Sequence, residues 1–183
     1  MKITEVIWLT QFVEKIERKH GVSTDEVEEV FVNRPHTRLI ERGDVGGENL
    51  YRAIGQTDDG RYLTMFYIHK GRNRALVISA RDANQKSEEA MANTKSKAKT
   101  TKRRDPLPEH FSSLEEAAEF WDTHDSTDYE EYMTDVKCDY DIKKRTYLVS
   151  LDGNLYRKVQ AIARKKGVPA EKLVNLWIEE KAS

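Results

Sequence analysis

Between Asn84 and Arg104 the chain carries no large apolar side chain except Met91, and Lys, Ser and Thr dominate. A stretch of that length and composition cannot join a core, so it cuts the 183 residues into two parts that must reach stability by separate means. The charge distribution follows the same division. Lys and Arg total 31 against 32 Asp and Glu, yet the charges come in blocks. Residues 112–142 hold eleven acidic and one basic residue, whereas residues 143–183 hold ten basic and four acidic. Blocks of this kind mark linkers and interaction surfaces.

The first part reads as an α+β arrangement in the order β-α-α-β-β-β-β. Ile3–Trp8 is a short apolar run that predicts a strand. Thr10–His20 places Phe12, Val13 and Ile16 at helical spacing, and Gly21 closes that helix. Ser23-Thr24-Asp25-Glu26 is a capping box, in which the Ser hydroxyl and the Glu side chain each satisfy a free amide. It opens a second helix with Val27, Val30 and Phe31 inward, stopped by Pro35. Strands follow over His36–Glu41, Leu50–Gly55, Arg61–Lys70 and Arg74–Ala80, joined by a Gly-rich turn at Gly43–Gly47 and turns at Thr57–Gly60 and Gly71–Asn73.

The second part begins after Asp105-Pro106-Leu107-Pro108. Ser113-Leu114-Glu115-Glu116 caps a helix whose stripe is Leu114, Ala117, Ala118 and Trp121. The acidic residues that follow, with Tyr129, Tyr132, Met133 and Tyr140 among them, cannot make a core alone and suit a segment lying on another surface. Arg145–Leu151 alternates as a strand, with Thr146, Leu148 and Ser150 on one face. Two helices follow, Asp152–Lys166 and Pro169–Lys181. One strand and two helices in about 40 residues bury too little to stand alone and leave strand edges open. Pairing with the same strand of a second copy answers both problems.

Several classes drop out. The single cysteine, Cys138, excludes a disulfide framework and a multi-Cys zinc site and fits a reducing cytoplasm. The five His show no His-x-x-x-His pair, so no metal is expected. The glycines match neither phosphate-binding loop pattern, and no cofactor is expected. No apolar run is long enough to cross a bilayer, and the first residues lack a signal-peptide pattern, so no membrane partner is expected.

Two resemblances add to this reading. Arg145-Thr-Tyr-Leu-Val-Ser-Leu151, the start of the next helix at Asp152–Leu155, and Lys165-Lys-Gly-Val168 resemble the ribbon-helix-helix family of DNA-binding repressors. That family implies an intertwined homodimer, or a higher even oligomer, whose antiparallel ribbon enters the major groove. Trp8, Lys19-His20-Gly21-Val22, Val30-Phe31, Arg34-Pro-His36, Glu41-Arg42-Gly43, Ala53-Ile54-Gly55 and Ile78-Ser79-Ala80-Arg81 together resemble the BrnT toxin family over residues 3 to about 86. That resemblance implies a RelE-like ribonuclease acting on mRNA. His110–Asp125 is similar to the start of its BrnA antitoxin partner. The expected organisation is therefore a toxin domain over 1–86, a flexible basic linker over 87–110, an acidic toxin-binding segment over 111–142, and a ribbon-helix-helix module over 143–183.

RNA cleavage without a metal needs cations to stabilise a phosphorane and groups to move protons. The candidates are Arg81, Lys19, His20, Arg38, Glu41, His69, Arg72 and Arg74, with Arg81 foremost because it ends the Ile-Ser-Ala-Arg strand. His20 also reads as a helix C-terminal cation. The masking anchors expected in the acidic segment are Leu114, Trp121, Tyr129 and Tyr132. The resemblance to repressors places Thr146, Leu148 and Ser150 toward bases, Lys144 and Arg145 toward phosphates, and Ala170, Glu171 and Lys172 at a helix N-terminus that receives one. Phe12 and Ile16 stand where the toxin family has a polar pair, and Ser87, Glu88 and Met91 where it has Glu-Arg and Tyr, which implies a weakened toxin. Two readings stand at this point. One is a latent metal-independent endoribonuclease masked within its own chain and joined to an autorepressor binding operator DNA. The other is a dimeric transcriptional regulator with a degenerate toxin-like scaffold.

Overall fold

The computed structural model describes residues 1–43, 48–84 and 105–183. Most of the Gly-rich turn, most of the expected linker, and Ser87, Glu88 and Met91 lie outside the described residues. The chain divides into two compact units, Met1–Leu148 and Val149–Ser183.

In the first unit, β1 (Lys2–Leu9) leads directly into α1 (Thr10–His20), which buries Phe12 and Ile16. Gly21 ends α1 in the left-handed region at φ 60°, and its N–H bonds to the Glu17 carbonyl. The Ser23–Glu26 capping box is formed in both directions and opens α2 (Thr24–Val32), whose Val27, Val30 and Phe31 are buried. Phe12 and Ile16 are therefore core residues.

The strands β2 (His36–Glu41), β3 (Leu50–Gln56), β4 (Tyr62–Lys70) and β5 (Arg74–Asp82) form an antiparallel meander. β1 lies parallel to β5 and closes the β-α-α-β-β-β-β order expected from sequence. The α2 helix seats closely on β3 because Gly55 has no side chain. A Cβ there would stand 2.8 Å from Val30 Cγ1 and 2.9 Å from Pro35 Cβ.

Residues after Asp105 add to this same sheet. The helix α3 (Leu114–Thr123) starts at Ser113, whose side chain accepts from the Glu116 amide. A 3-10 helix follows over Ser126–Tyr132. Then β6 (Thr134–Asp135) pairs antiparallel with β2, and β7 (Asp139–Leu148) pairs parallel with β1. The strand order is β6-β2-β3-β4-β5-β1-β7. The two outermost strands are thus joined by only Val136, Lys137 and Cys138. Four residue steps reach at most about 14 Å, whereas a flat sheet of this width would separate its outer strands by roughly 29 Å. The sheet must curl until its edges approach. The side chains agree: Tyr140 of β7 hydrogen-bonds to Thr37 of β2 at 2.7 Å and to Tyr67 of β4 at 2.8 Å, and its ring stacks on Phe31. Burial pushes the Tyr67 and Tyr140 hydroxyls far above the usual phenol range, so both stay neutral.

The strand expected over Arg145–Leu151 needs correction. It begins at Asp139, ends at Leu148, and pairs with β1 of its own chain. The sequence Asp-Tyr-Asp-Ile-Lys-Lys is too polar to signal a strand alone. It becomes one because β1 offers an open edge and Tyr140 an anchor in the core. Val149 and Ser150 fall in the second unit, outside any strand.

In the second unit, Asp152 caps α4 (Gly153–Lys166) by accepting from the Asn154 and Leu155 amides. Gly167 ends it at φ 65°, and Val168 N–H bonds back to the Ala163 carbonyl. Pro169 then precedes α5 (Ala170–Ala182). The core here consists of Val159, Ala163 and Leu173 with Val168, Val174 and Trp177 packed against it, while Leu155, Tyr156, Leu176 and Ile178 are exposed. No helix among the described residues is long and apolar enough to cross a membrane.

The close seating of α2 on β3 has a measurable consequence. Gly55→Ala forces the new methyl into Val30 and Pro35, an overpacking cost of about 1–3 kcal/mol. The thermal unfolding midpoint of the full chain falls by several degrees; an unchanged midpoint would mean that α2 does not approach β3 this closely.

Candidate functional site

One face of the β2–β5 meander carries polar and cationic residues in register. Arg38 on β2 pairs with Arg52 on β3, Arg52 with Phe66 on β4, and Phe66 with Ser79 on β5. Alternation along the strands puts Thr64 beside Phe66 and Arg81 beside Ser79 on this face. The central strands β3, β4 and β5 are buried along most of their length, so the face must be covered, and the acidic segment covers it.

Trp121 of α3 stacks on Phe66 with ring centroids 4.8 Å apart and is fully buried. Phe120 and Tyr129 pack edge-on against it. The next residue, Asp122, has a side chain with no exposure. Its Oδ2 lies 3.1 Å from Lys15 Nζ and 3.1 Å from Lys19 Nζ. Its Oδ1 accepts from Ser79 Oγ at 2.6 Å and stands 3.3 Å from His20 Nε2. Arg81 Nη2 donates at 2.6 Å to the carbonyl of His124, the residue that caps the C-terminal end of α3. A second cluster lies along the same face. Arg52, almost wholly buried, donates to Ser126 and to Glu130 Oε1 at 3.2 Å, and Arg38 Nε donates to Asp135 Oδ1 at 2.6 Å.

The electrostatics follow from this crowding. Burial alone would raise the Asp122 carboxyl, but the Ser79 hydrogen bond and the Lys15 and Lys19 ammonium groups outweigh it and hold the carboxyl below its usual range. Burial would lower Lys19, and Asp122 with Glu119 raises it instead. Arg52 and Arg81 are lowered by burial against the opposing pull of Glu130, and of Asp125 and Asp122. Both remain charged, since a guanidinium does not lose its proton in a protein.

Of the residues singled out for RNA chemistry, Lys19, His20 and Arg81 converge here, and Arg38 joins the adjacent cluster. The rest do not. Glu41, at the end of β2, faces His110 Nδ1 at 3.1 Å. His69, Arg72 and Arg74 sit at the β4–β5 hairpin, where Lys70 pairs with Arg74. Seven strand positions, roughly 23 Å, separate Arg74 from Arg81. Arg72 adopts φ 53° in that hairpin turn, and Arg74 Nε donates to the Lys70 and Gly71 carbonyls, so both serve the turn.

Among the expected anchors, Trp121 and Tyr129 are buried and Leu114 packs partly buried against the core. Tyr132 is 54% exposed and does not act as a buried anchor. Of the residues expected to meet DNA from the strand, Lys144, Arg145, Thr146 and Leu148 stand on β7 beside β1, and Ser150 lies beyond the strand in the second unit. Lys144 Nζ is 3.3 Å from Glu5 Oε1, Thr146 donates to the same oxygen at 2.6 Å, and Arg145 donates to Glu28. Leu148 is exposed and its carbonyl accepts from Thr10. Ala170, Glu171 and Lys172 form the first turn of α5, as expected.

Lys15, Arg52, Phe66, Ser79, Asp122 and Glu130 belong to the site and escaped the reading of the sequence. Lys15 was signalled by its position one helical turn before Lys19. Ser79 was signalled by its alternation with Arg81. Asp122 breaks an otherwise apolar helix stripe, which is the mark of a buried charge with a partner.

The lowered Asp122 carboxyl gives a pH dependence of definite sign. Its stabilising contribution is fully present above the unfolded-state value of about 3.9 and is lost as pH falls through the folded-state value. Asp122→Asn therefore costs roughly 1–3 kcal/mol at neutral pH, and the gap between variant and parent midpoints closes as the pH falls below the unfolded-state value and through the lowered folded-state one. A gap that persists unchanged in acid would show that the charge of Asp122 is not what holds α3.

Comparison with known proteins follows the same division of the chain. Residues 11–87 match the family described as the ribonuclease toxin, BrnT, of type II toxin-antitoxin system. Residues 105–181 match the CopG antitoxin of type II toxin-antitoxin system. Among solved structures, the Brucella abortus ribonuclease toxin BrnT aligns over 45% of this chain and 99% of its own, with 22% identity and a TM-score of 0.35. No curated protein matches. Residues 11–87 belong to the BrnT toxin family and residues 105–181 to the CopG antitoxin family, so one polypeptide carries both halves of a type II toxin–antitoxin module.

Proposed function

We propose that this chain is a self-neutralised toxin–antitoxin pair, in which a latent RNA-cleaving site on the β2–β5 face is masked by α3 and the 3-10 helix. The observation that carries the reading is the pairing of charges across that face. Each buried or half-buried cation that the toxin segment presents there meets an acceptor from the antitoxin segment: Lys15 and Lys19 meet Asp122, Arg81 meets the His124 carbonyl, Arg52 meets Ser126 and Glu130, and Arg38 meets Asp135. RNA cannot reach cations that are already engaged under a stacked Trp121.

In the uncovered state the chemistry would run as follows. The ribose 2′-oxygen attacks the adjacent phosphorus and loses its proton to a base. The phosphorane charge is held by Lys15, Lys19 and Arg81. The 5′-oxygen leaves with a proton, and a cyclic phosphate remains. His20 is the imidazole of this cluster and the side chain that would move the protons.

The autorepressor half of the reading rests on residues 143–183. β7 is the outermost strand, and among the described residues nothing pairs with its second edge, so a second copy could pair there and form the homodimer. Operator DNA would then compete with Glu5 and Glu28 for Lys144, Arg145 and Thr146. Cytoplasmic placement follows from mRNA and operator DNA as the partners.

Loosening the mask tests the first half. Trp121→Ala with Tyr129→Ala in the full chain produces growth arrest and fragmented RNA, and adding Arg81→Ala relieves both. A variant that is folded by circular dichroism yet leaves growth and RNA intact would favour the degenerate scaffold and leave DNA binding as the function. For the second half, Lys144→Ala and Arg145→Ala each weaken duplex binding regardless of sequence and flatten the slope of log K against log salt by roughly 1. Unchanged slopes would remove these residues from the DNA surface.

A further inference from the structure

We propose that the Asp122 carboxylate occupies a phosphate-binding site, and that Lys15, Lys19, His20, Ser79 and Arg81 are the residues that receive a phosphodiester when α3 withdraws. The inference deepens the masking reading and rests on it. Its basis is the way the two carboxylate oxygens are shared. Oδ2 takes both lysines at 3.1 Å, while Oδ1 takes the Ser79 hydroxyl at 2.6 Å. A phosphodiester carries the same single negative charge on two non-bridging oxygens, so the same donors would divide between them in the same way. An ordinary surface ion pair has no such division, because one lysine and one carboxylate suffice.

The remaining geometry points the same way. His20 Nε2 is buried 3.3 Å from Oδ1 without the geometry of a hydrogen bond, so its polar atom faces the site with its hydrogen-bonding capacity unfilled. Arg81 feels Asp122 across the cluster without touching it, its guanidinium turned to the His124 carbonyl. An anion larger than a carboxylate would reach both. The acidic neighbours that remain once Asp122 is removed are Glu119, 3.5 Å from Lys19 on the exposed side, and Asp125 near Arg81. Both lie on the antitoxin segment. Among the described residues, the one toxin-segment carboxylate near this site is Asp82, which faces His20 and is already held by Arg61; the other toxin-segment groups here are cations, a histidine and a hydroxyl. Burying Asp122 on a stripe otherwise made of Ala117, Ala118 and Trp121 is costly unless its partners demand a charge.

The test uses the full chain and inorganic phosphate. Asp122→Ala removes the surrogate without enlarging the side chain. Its thermal midpoint rises with millimolar phosphate and does not rise with chloride at equal ionic strength, whereas the parent responds to neither. Lys15→Ala combined with Asp122→Ala abolishes the phosphate response, and Asp122→Glu restores the parent's indifference. Should Asp122→Ala fail to fold, the isosteric Asp122→Asn is read by ³¹P line broadening instead, with broadening expected and reversed by Lys15→Ala. A folded variant indifferent to phosphate overturns the proposal, as does a response equalled by chloride. Phosphate binding without RNA cleavage in the unmasked chain would leave the anion site standing and remove the ribonuclease reading. Cleavage without phosphate binding would do the reverse.

Discussion

The sheet of the first unit presents a face that its own helices leave to other residues, and that face holds Arg38, Arg52, Ser79 and Arg81 in one patch around Phe66. A half-buried guanidinium without a partner costs several kcal/mol, so the structure depends on what lies across it. The stacked pair of Phe66 and Trp121 supplies the apolar contact that excludes water, and Asp122, Ser126 and Glu130 supply the acceptors. Neither set suffices alone. The aromatic pair without the acceptors would strand buried cations. The acceptors without the aromatic pair would be surface ion pairs, each contributing at most about 1 kcal/mol.

The curl of the sheet turns this local cover into a wrap. Because only three residues separate β6 from β7, the segment after Asp105 crosses the cationic face as α3 and the 3-10 helix, grips the β2 edge, and then enters the core as Tyr140 before gripping the β1 edge. Both sheet edges of the toxin segment are thereby capped by the antitoxin segment. β1, an inner strand between β5 and β7 here, would be an open edge without it. The wrap also explains why the unit boundary falls at Leu148 rather than before the last strand: β7 has become part of the toxin sheet.

Local signals in the sequence were enough where local physics decides. The Ser23–Glu26 capping box, the Ser113 cap, the glycine ends of α1 and α4, and the strand order of the meander could all be read, because each depends on side chains within a few residues; at Ser113 the Glu116 carboxylate binds Ser112 rather than closing the second box. The failures share one cause. Tyr140 and Ile142 are too sparse among acidic and basic neighbours to announce a strand, and only the edge of β1, far away in sequence, makes Asp139–Leu148 extended. Arg52 sits in an apolar strand, and its burial makes sense only through Glu130, 78 residues on. His69, Arg72 and Arg74 were chosen for their chemistry, but a β-hairpin sends strand ends to opposite sides of a domain. Residue type singled out only part of the cluster, Lys19, His20 and Arg81; the register decided which members meet and brought in Ser79 and Arg52.

Why the cover uses charge at all is a question of constraint. A buried ion pair is seldom more stable than an apolar pair of similar volume, so a chain free to vary both sides would be expected to replace the lysines and arginines of this face with apolar residues. It has not done so at Lys15, Lys19, Arg38, Arg52 or Arg81. The proposed use of that face supplies the reason, since cations that must stabilise a phosphorane cannot be exchanged for leucines. The antitoxin segment then places a carboxylate or carbonyl wherever the toxin segment places one of these cations. A fused chain relaxes only the affinity requirement, because both halves are always present together. It leaves the requirement for charge matching untouched, and the pairing of Asp122 with two lysines is where that requirement is met most completely.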